Sequence, residues 1–241
     1  MVQIIPRKQR PVPERPVIIQ SGEHCLEGLF INKENDHWPA LLNSPHPHFG
    51  GNMDSSLLNE LAYALSKENI SSLRYNYRGV GGSQGESQGG EAEVQDMVSA
   101  MDFLLDSTHG DKNGAMVSAG FSFGSWIAYK VAQQDQRIRR TLLVAPPIQS
   151  FDFSDLPKIK TSLALLVGER DQYCPVNELQ KLLAHLKTKN SFWKEPLLFV
   201  VPEASHYFVR GLSQAGRVGA TYLRTGKLID PLEEKTEEIK K

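Results

Sequence analysis

The chain has 241 residues, and 40% of them are hydrophobic, which suffices for the core of one large domain. Its 27 lysine and arginine residues nearly balance 28 aspartate and glutamate residues, so the formal net charge is -1. With so little net charge, no global electrostatic field draws the chain to polyanions. The composition therefore predicts neither a nucleic-acid partner nor a membrane partner.

The amino-terminal segment and the cysteines indicate the compartment. Apolar runs near the amino terminus are short and broken by prolines, so they predict neither a signal peptide nor a membrane span. Cys25 and Cys174 are the only cysteines; they are too few for a disulfide framework and lack metal-site spacing. We therefore expect a cytoplasmic protein with reduced thiols.

The domain organisation follows from where the apolar pattern runs. One domain is expected over residues 17–228, preceded by an extension at 1–16. The charged end at 229–241 has few apolar residues, so it is expected to form a frayed helix or a disordered tail. The domain is expected to exist as a monomer or a homodimer.

The first half of the chain predicts a hairpin and then an alternation of strands and helices. Alternating apolar residues flanked by turn residues indicate the strands, and apolar residues at helical spacing indicate the helices, the first of them with Ser55 or Ser56 as its N-cap. The predicted strands are 15–22, 24–32, an apolar segment within 37–48, and 70–79; the predicted helices are 55–69 and 91–107.

The second half continues the same alternation. The predicted strands are 115–120, 140–147, 162–170 and 196–204; the predicted helices are 125–134, 176–188 and 211–226. Strands alternating with helices imply right-handed crossovers and a mostly parallel, doubly wound sheet with helices on both faces, the α/β class. Catalytic and ligand-binding residues in such a sheet lie on loops at the carboxyl ends of the strands.

A serine between two glycines stands at one of these strand ends. The stretch GFSFG, residues 120–124, lies between a predicted strand and a predicted helix. It resembles the G-x-S-x-G nucleophile elbow, which implies an α/β-hydrolase fold with Ser122 as nucleophile. Gly120 and Gly124 would remove side chains that block the close approach of strand and helix. The alternative for Ser122 is an ordinary N-cap.

Two further residues follow later strands in the order that this fold uses. Asp171 and His206 each come just after a strand, and GERDQYCPV resembles the acid loop of the α/β hydrolases. The resemblance implies that His206 is the general base and acid, and that Asp171 orients its imidazole. Glu169, two residues earlier, is a rival for the acid because it shares a face with Asp171. His206 could instead cap a surface loop.

The loop NSPHPHFGGNMD, residues 43–54, resembles the oxyanion loop of small bacterial lidless serine hydrolases. The resemblance implies two backbone N–H donors for a developing oxyanion, one of them from Phe123. Pro47 has no N–H, so His48 is the first candidate for the other donor and Phe49 the second. His46 is expected to brace the loop. A metal pair formed by His46 and His48 is the alternative, although no third ligand stands in register.

The glycine-rich stretch at 78–90 does not match a phosphate-binding loop. It lacks the lysine and hydroxyl of a P-loop and does not open a helix as a dinucleotide fingerprint does, so we expect no nucleotide cofactor and no metal. RYNYRGVGGSQG resembles a structural loop of the α/β hydrolases, with a double glycine as the departure. Asn76 and Arg78 are expected to tie loops together near the site.

The chain leaves no room for a cap domain. Only about 14 residues, 148–161, separate the strand that ends in LLVAPP from the next strand, so the site is expected to be open. The resemblance implies a serine hydrolase that cleaves small carboxylic esters through an acyl-enzyme, with a small-molecule acyl substrate. The alternatives are a peptidase or thioesterase with the same triad, or a non-catalytic binding protein that keeps the fold.

Overall fold

A computed structural model describes residues 14–33, 37–108 and 114–232. Most of the predicted extension, 1–13, and most of the predicted tail, 233–241, lie outside the described residues.

Eight strands form one sheet in the described part of the chain. They are β1 Arg15–Ser21, β2 His24–Ile31, β3 Ala40–Asn43, β4 Ser72–Tyr75, β5 Met116–Phe121, β6 Ile138–Val144, β7 Ser162–Gly168 and β8 Leu197–Val201. Their order across the sheet is β1-β2-β4-β3-β5-β6-β7-β8. The hairpin β1–β2 and the pair β2–β4 are antiparallel, and every other pair is parallel. The predicted edge hairpin and the mostly parallel sheet are confirmed.

Five helices cover the two faces of this sheet. They are α1 Ser56–Lys67, α2 Glu91–Ser107, α3 Phe123–Ala132, α4 Val176–Lys189 and α5 Leu212–Thr225. The buried residues of α2, α3 and α4 join one apolar cluster, and those of α1 and α5 join a second cluster on the opposite face. The sheet is therefore doubly wound, as predicted, because both of its faces are apolar and both must be covered.

The central strands explain why the site lies where it does. Every residue of β3, β4 and β5 is buried, so these strands are held rigidly between the two helical layers. Parallel strands present their carboxyl ends at one edge of the sheet. The loops after β3, β4, β5, β7 and β8 therefore meet at that edge, and they carry the predicted site residues.

The structure adjusts the predicted bounds at the ends of the domain. Arg15 and Pro16, which the domain bounds assigned to the extension and the apolar pattern to a strand, are the first residues of β1 and pair with β2. Asp230, predicted as part of a frayed helix or disordered tail, is buried, and its carboxylate pairs with Arg217 at 2.9 Å. Ser55 occupies the N-cap position of α1, as predicted, but its hydroxyl makes no capping bond.

No inserted cap occurs between β6 and β7 in the described chain. The connecting segment forms a single 3-10 turn at Leu156–Lys158, whose first residue is buried. Phe151 and Phe153 pack against α3, at 5.1 Å from the ring of Trp126 and 5.0 Å from that of Tyr129 respectively. None of the described helices is both long enough and apolar enough to cross a bilayer.

Candidate active site

The turn between β5 and α3 holds Ser122 in a strained conformation. Its φ of 54° and ψ of -120° lie in a region that residues with side chains rarely adopt. The turn is so tight that only glycine fits at two of its positions. A Cβ on Gly120 would collide with the backbone of Gly124, and a Cβ on Gly124 would collide with the Asn43 and Ser44 carbonyls. The two glycines therefore have the steric role that the sequence predicted.

The hydroxyl of Ser122 does not cap the helix. No capping bond joins its side chain to α3, although it occupies the N-cap position. Its Oγ lies 2.9 Å from Nε2 of His206 instead. The alternative of an ordinary N-cap is therefore wrong.

His206 is joined to Asp171 through its other ring nitrogen. Nδ1 lies 3.0 Å from each carboxylate oxygen of Asp171. The same carboxylate accepts the backbone N–H groups of Tyr173 at 2.9 Å and Cys174 at 3.0 Å. These bonds satisfy a carboxylate whose side chain is fully buried, which would otherwise be costly.

Glu169 makes no contact with His206 and bonds elsewhere. Its carboxylate accepts the backbone N–H of Glu203 at 2.8 Å, and it lies in an exposed position. The geometry therefore selects Asp171 over Glu169 as the partner of His206, a choice that sequence periodicity alone left open.

Aromatic rings surround the imidazole of His206. The buried ring of Phe121 lies below it at 5.4 Å, and the rings of Tyr173 and Tyr207 lie at 4.8 and 5.3 Å. His206 is itself 3% exposed, so the neighbouring side chains shield nearly all of its ring from solvent. The two tyrosines were not predicted, because nothing in the sequence marks an exposed aromatic as a neighbour of the histidine.

The loop after β3 contradicts the prediction for the second N–H donor. The His48 N–H points to Nδ1 of His46 at 3.2 Å, and the Phe49 N–H points to the His46 carbonyl at 3.1 Å. Both candidates are thus engaged inside a 3-10 turn at Pro47–Phe49, so neither N–H is available to an oxyanion. No acceptor for the His46 N–H occurs among the described residues, and its ring contacts that of Phe123 at 4.6 Å.

The side chain of His46 braces this turn, as expected. Its Nδ1 accepts a hydrogen bond, which requires a neutral ring with that nitrogen unprotonated. Burial lowers the pKa of His46, and the nearby His48 lowers it further, so the neutral form is favoured. The two histidine rings lie 5.2 Å apart, and no third His, Cys, Asp or Glu in the described chain joins them as a metal-binding group.

Asn76 and Arg78 tie the loops together, as expected. Asn76 accepts the Met53 N–H of the loop after β3 at 2.7 Å and donates to Glu27 of β2 at 2.7 Å. Glu27 also accepts the N–H of Gly82, so it links the glycine-rich loop to the same network. The sequence analysis missed Glu27 because its carboxylate matters only through contacts with residues distant in sequence.

Arg78 ties a second pair of elements together. It pairs with the buried Asp96 of α2 at 2.6 Å.

A strand-to-helix turn with a strained serine, on a sheet of this strand order, defines the α/β hydrolases. A family model described as "Serine aminopeptidase, S33" matches residues 48–152. The chain is 30% identical, over 198 residues, to an uncharacterized protein of Rickettsia prowazekii (strain Madrid E), covering 80% of this chain and 82% of that one.

Solved structures agree with this assignment. An α/β serine hydrolase homologue from Coxiella burnetii is 27% identical, with a TM-score of 0.75 and coverage of 87% of this chain and 97% of that one. A lidless α/β serine hydrolase from Xanthomonas campestris shares the fold, with 22% identity, a TM-score of 0.74 and coverage of 90% and 98%. The chain belongs to the α/β-hydrolase superfamily, in one family with the Rickettsia protein.

Proposed function

We propose that the protein is a serine hydrolase that cleaves small carboxylic esters through an acyl-enzyme. The observation that carries this proposal is the continuous relay from Ser122 through His206 to Asp171, with 2.9 and 3.0 Å between successive polar atoms. A nucleophile, a base within hydrogen-bond reach and a carboxylate that orients the base are the parts that acyl transfer needs.

The geometry gives each residue a step. Oγ of Ser122 attacks the ester carbonyl carbon while its proton passes to Nε2 of His206. The tetrahedral intermediate then collapses, the bond to the leaving oxygen breaks, and that oxygen takes the proton from Nε2. Water repeats the sequence on the acyl-enzyme and releases the acid. Asp171 stabilises the imidazolium in both halves and fixes the tautomer with hydrogen on Nδ1.

The oxyanion is proposed to bind the backbone N–H groups of Phe123 and His46. Phe123 begins α3, where N–H groups have no partner within the helix. His46 replaces the earlier candidate His48, because its N–H has no acceptor in the described chain and its loop lies against the nucleophile turn. Each such donor is worth about 3 kcal/mol of barrier.

A fluorophosphonate tests the proposal directly. The reagent is expected to label the folded protein on Ser122 alone, as read by mass spectrometry of proteolytic fragments. The protein is also expected to hydrolyse p-nitrophenyl acetate and butyrate much faster than long-chain esters, because no cap covers a long acyl tail. Folded protein that takes up no label would contradict the proposal and favour a non-catalytic binding protein.

A peptidase is the second candidate, because the matching family model carries the name of a serine aminopeptidase. The same relay serves esters and amides. Aminoacyl anilides measured beside the p-nitrophenyl esters separate a peptidase from an esterase, and acyl thioesters measured in the same way test the thioesterase alternative. Anilide hydrolysis with kcat/KM equal to or above that of the esters would replace the ester assignment.

His46→Ala is expected to reduce kcat more than His48→Ala. His48→Ala keeps its main-chain N–H and the acceptor on His46, whereas His46→Ala removes the acceptor that holds the turn. A displacement of about 1 Å in the turn costs about a hundredfold in rate. EDTA is expected to leave both rates unchanged. Equal damage by both substitutions together with inhibition by EDTA would instead support the metal pair.

A further inference from the structure

The path of the proton fixes where the leaving group of the substrate lies. In the proposed mechanism the departing oxygen takes its proton from Nε2 of His206, so that oxygen must lie within hydrogen-bond reach of this nitrogen. The carbonyl oxygen lies on the other side, toward the N–H groups of Phe123 and His46. The residues that flank the leaving group are therefore sought among those around the imidazole of His206.

Two tyrosines flank the imidazole of His206. Tyr173 follows Asp171 by two residues and Tyr207 follows His206 directly, so they come from two different loops. Both rings stand edge to face with the imidazole, at interplanar angles of 71° and 88°. They are nevertheless 41% and 60% exposed. Each ring thus presents apolar surface to solvent beside the imidazole that protonates the leaving group.

The hydroxyls of these tyrosines have no structural task in the described chain. Neither takes part in a hydrogen bond with another described residue. The rings are therefore free to contact a ligand without breaking a bond of the fold.

The exposed charges on the two loops cancel. Asp171 is buried against His206, and the exposed charged residues of 168–175 and 202–211 are two acids, Glu169 and Glu203, and two arginines, Arg170 and Arg210. Both arginines pair with Glu203. No net charge remains to hold an anionic or a cationic leaving group, so the loops favour a neutral one.

We infer that Tyr173 and Tyr207 form a subsite for a flat, neutral, apolar leaving group, and that the preferred substrates are esters of phenols and related aryl alcohols. This inference rests on the proposed function and names the alcohol side of its substrate. Aromatic rings at edge-to-face or offset geometry prefer another aromatic ring over an aliphatic group of similar size.

A pair of acetates isolates the leaving group. Phenyl acetate and hexafluoroisopropyl acetate give the same acyl-enzyme and release alcohols of comparable acidity, of which one is aromatic. Tyr173→Ala and Tyr207→Ala are compared with Tyr173→Phe and Tyr207→Phe, which keep the ring and remove only the hydroxyl. Stopped-flow measurement of phenol release gives the rate of acylation, and trapping of the acyl-enzyme gives the rate of deacylation.

The alanine variants are expected to lose about two- to tenfold in kcat/KM for phenyl acetate, relative to hexafluoroisopropyl acetate, the range that an aromatic pair contributes. The phenylalanine variants are expected to retain the wild-type preference. Deacylation is expected to be unchanged in all four, because the leaving group has departed before that step.

Two results overturn the subsite alone: equal losses on both acetates, or slower deacylation, since either would mean that the rings merely position His206. Failure to form an acyl-enzyme from either acetate, in the wild-type protein, overturns the proposed function and the subsite with it. Loss of the preference in the phenylalanine variants overturns the ring contact and assigns the recognition to the hydroxyls.

Discussion

Ser122→Ala is expected to reduce the turnover of p-nitrophenyl acetate by about a millionfold, the cost of removing the nucleophile from a triad of this kind. The substitution removes only Oγ, so His206 and Asp171 keep their mutual bonds. Alanine has no more difficulty than serine with the backbone conformation at this turn. The variant should therefore melt cooperatively, as followed by circular dichroism, while its esterase rate falls to the background.

Ser154→Ala is the matched control for this loss. Ser154 lies exposed in the segment after β6 and bonds only to Asp152 of the same loop, so the same change of side chain there should leave the rate near wild type. A Ser122→Ala protein that keeps a near wild-type rate would show that another group is the nucleophile.

Asp171→Asn is expected to lower kcat by about ten-thousandfold. The amide keeps the size of the side chain, but it carries no charge to stabilise the imidazolium and can turn its NH2 toward Nδ1 of His206. The ring is then held in the wrong tautomer, so Nε2 cannot accept the proton of Ser122. Steady-state kinetics with p-nitrophenyl acetate measure the loss.

Glu169→Gln tests the specificity of that result. Glu169 bonds to the Glu203 N–H and not to His206, and glutamine retains an oxygen for that bond. We expect a rate within a few-fold of wild type. A severe loss in Glu169→Gln with a mild one in Asp171→Asn would reverse the assignment of the acid.

Local rules were sufficient to predict much of the fold and the core of the site. The apolar stripe of α2 indicated its bounds, Glu91–Ser107, because its helical spacing starts after a glycine pair and ends before the polar, glycine-containing stretch THGDKNG. Ser122 and His206 could be located because each follows a strand in the parallel part of the sheet, and parallel strands bring such residues to one edge. Asp171 follows a third such strand, but its choice over Glu169 came from the resemblance to the acid loop of the α/β hydrolases.

The conformation of irregular loops, and contacts between segments distant in sequence, could not be predicted in the same way. The donor at His48 was wrong because a 3-10 turn, absent from the sequence pattern, directs that N–H onto the His46 ring. The choice between Asp171 and Glu169 depended on which side chain the loop after β8 approaches. The burial of Asp230 depended on Arg217, which only the docking of α5 brings near.

The backbone conformation at Ser122 lowers the stability of the fold but places the hydroxyl that the proposed reaction needs. Its φ of 54° is a conformation that glycine adopts without penalty, whereas a side chain there costs about 1–3 kcal/mol. A chain optimised only for folding would carry glycine at this turn and be more stable. The fold instead spends part of its small free-energy margin to hold one hydroxyl against an imidazole, a trade-off typical of residues kept for chemistry rather than for structure.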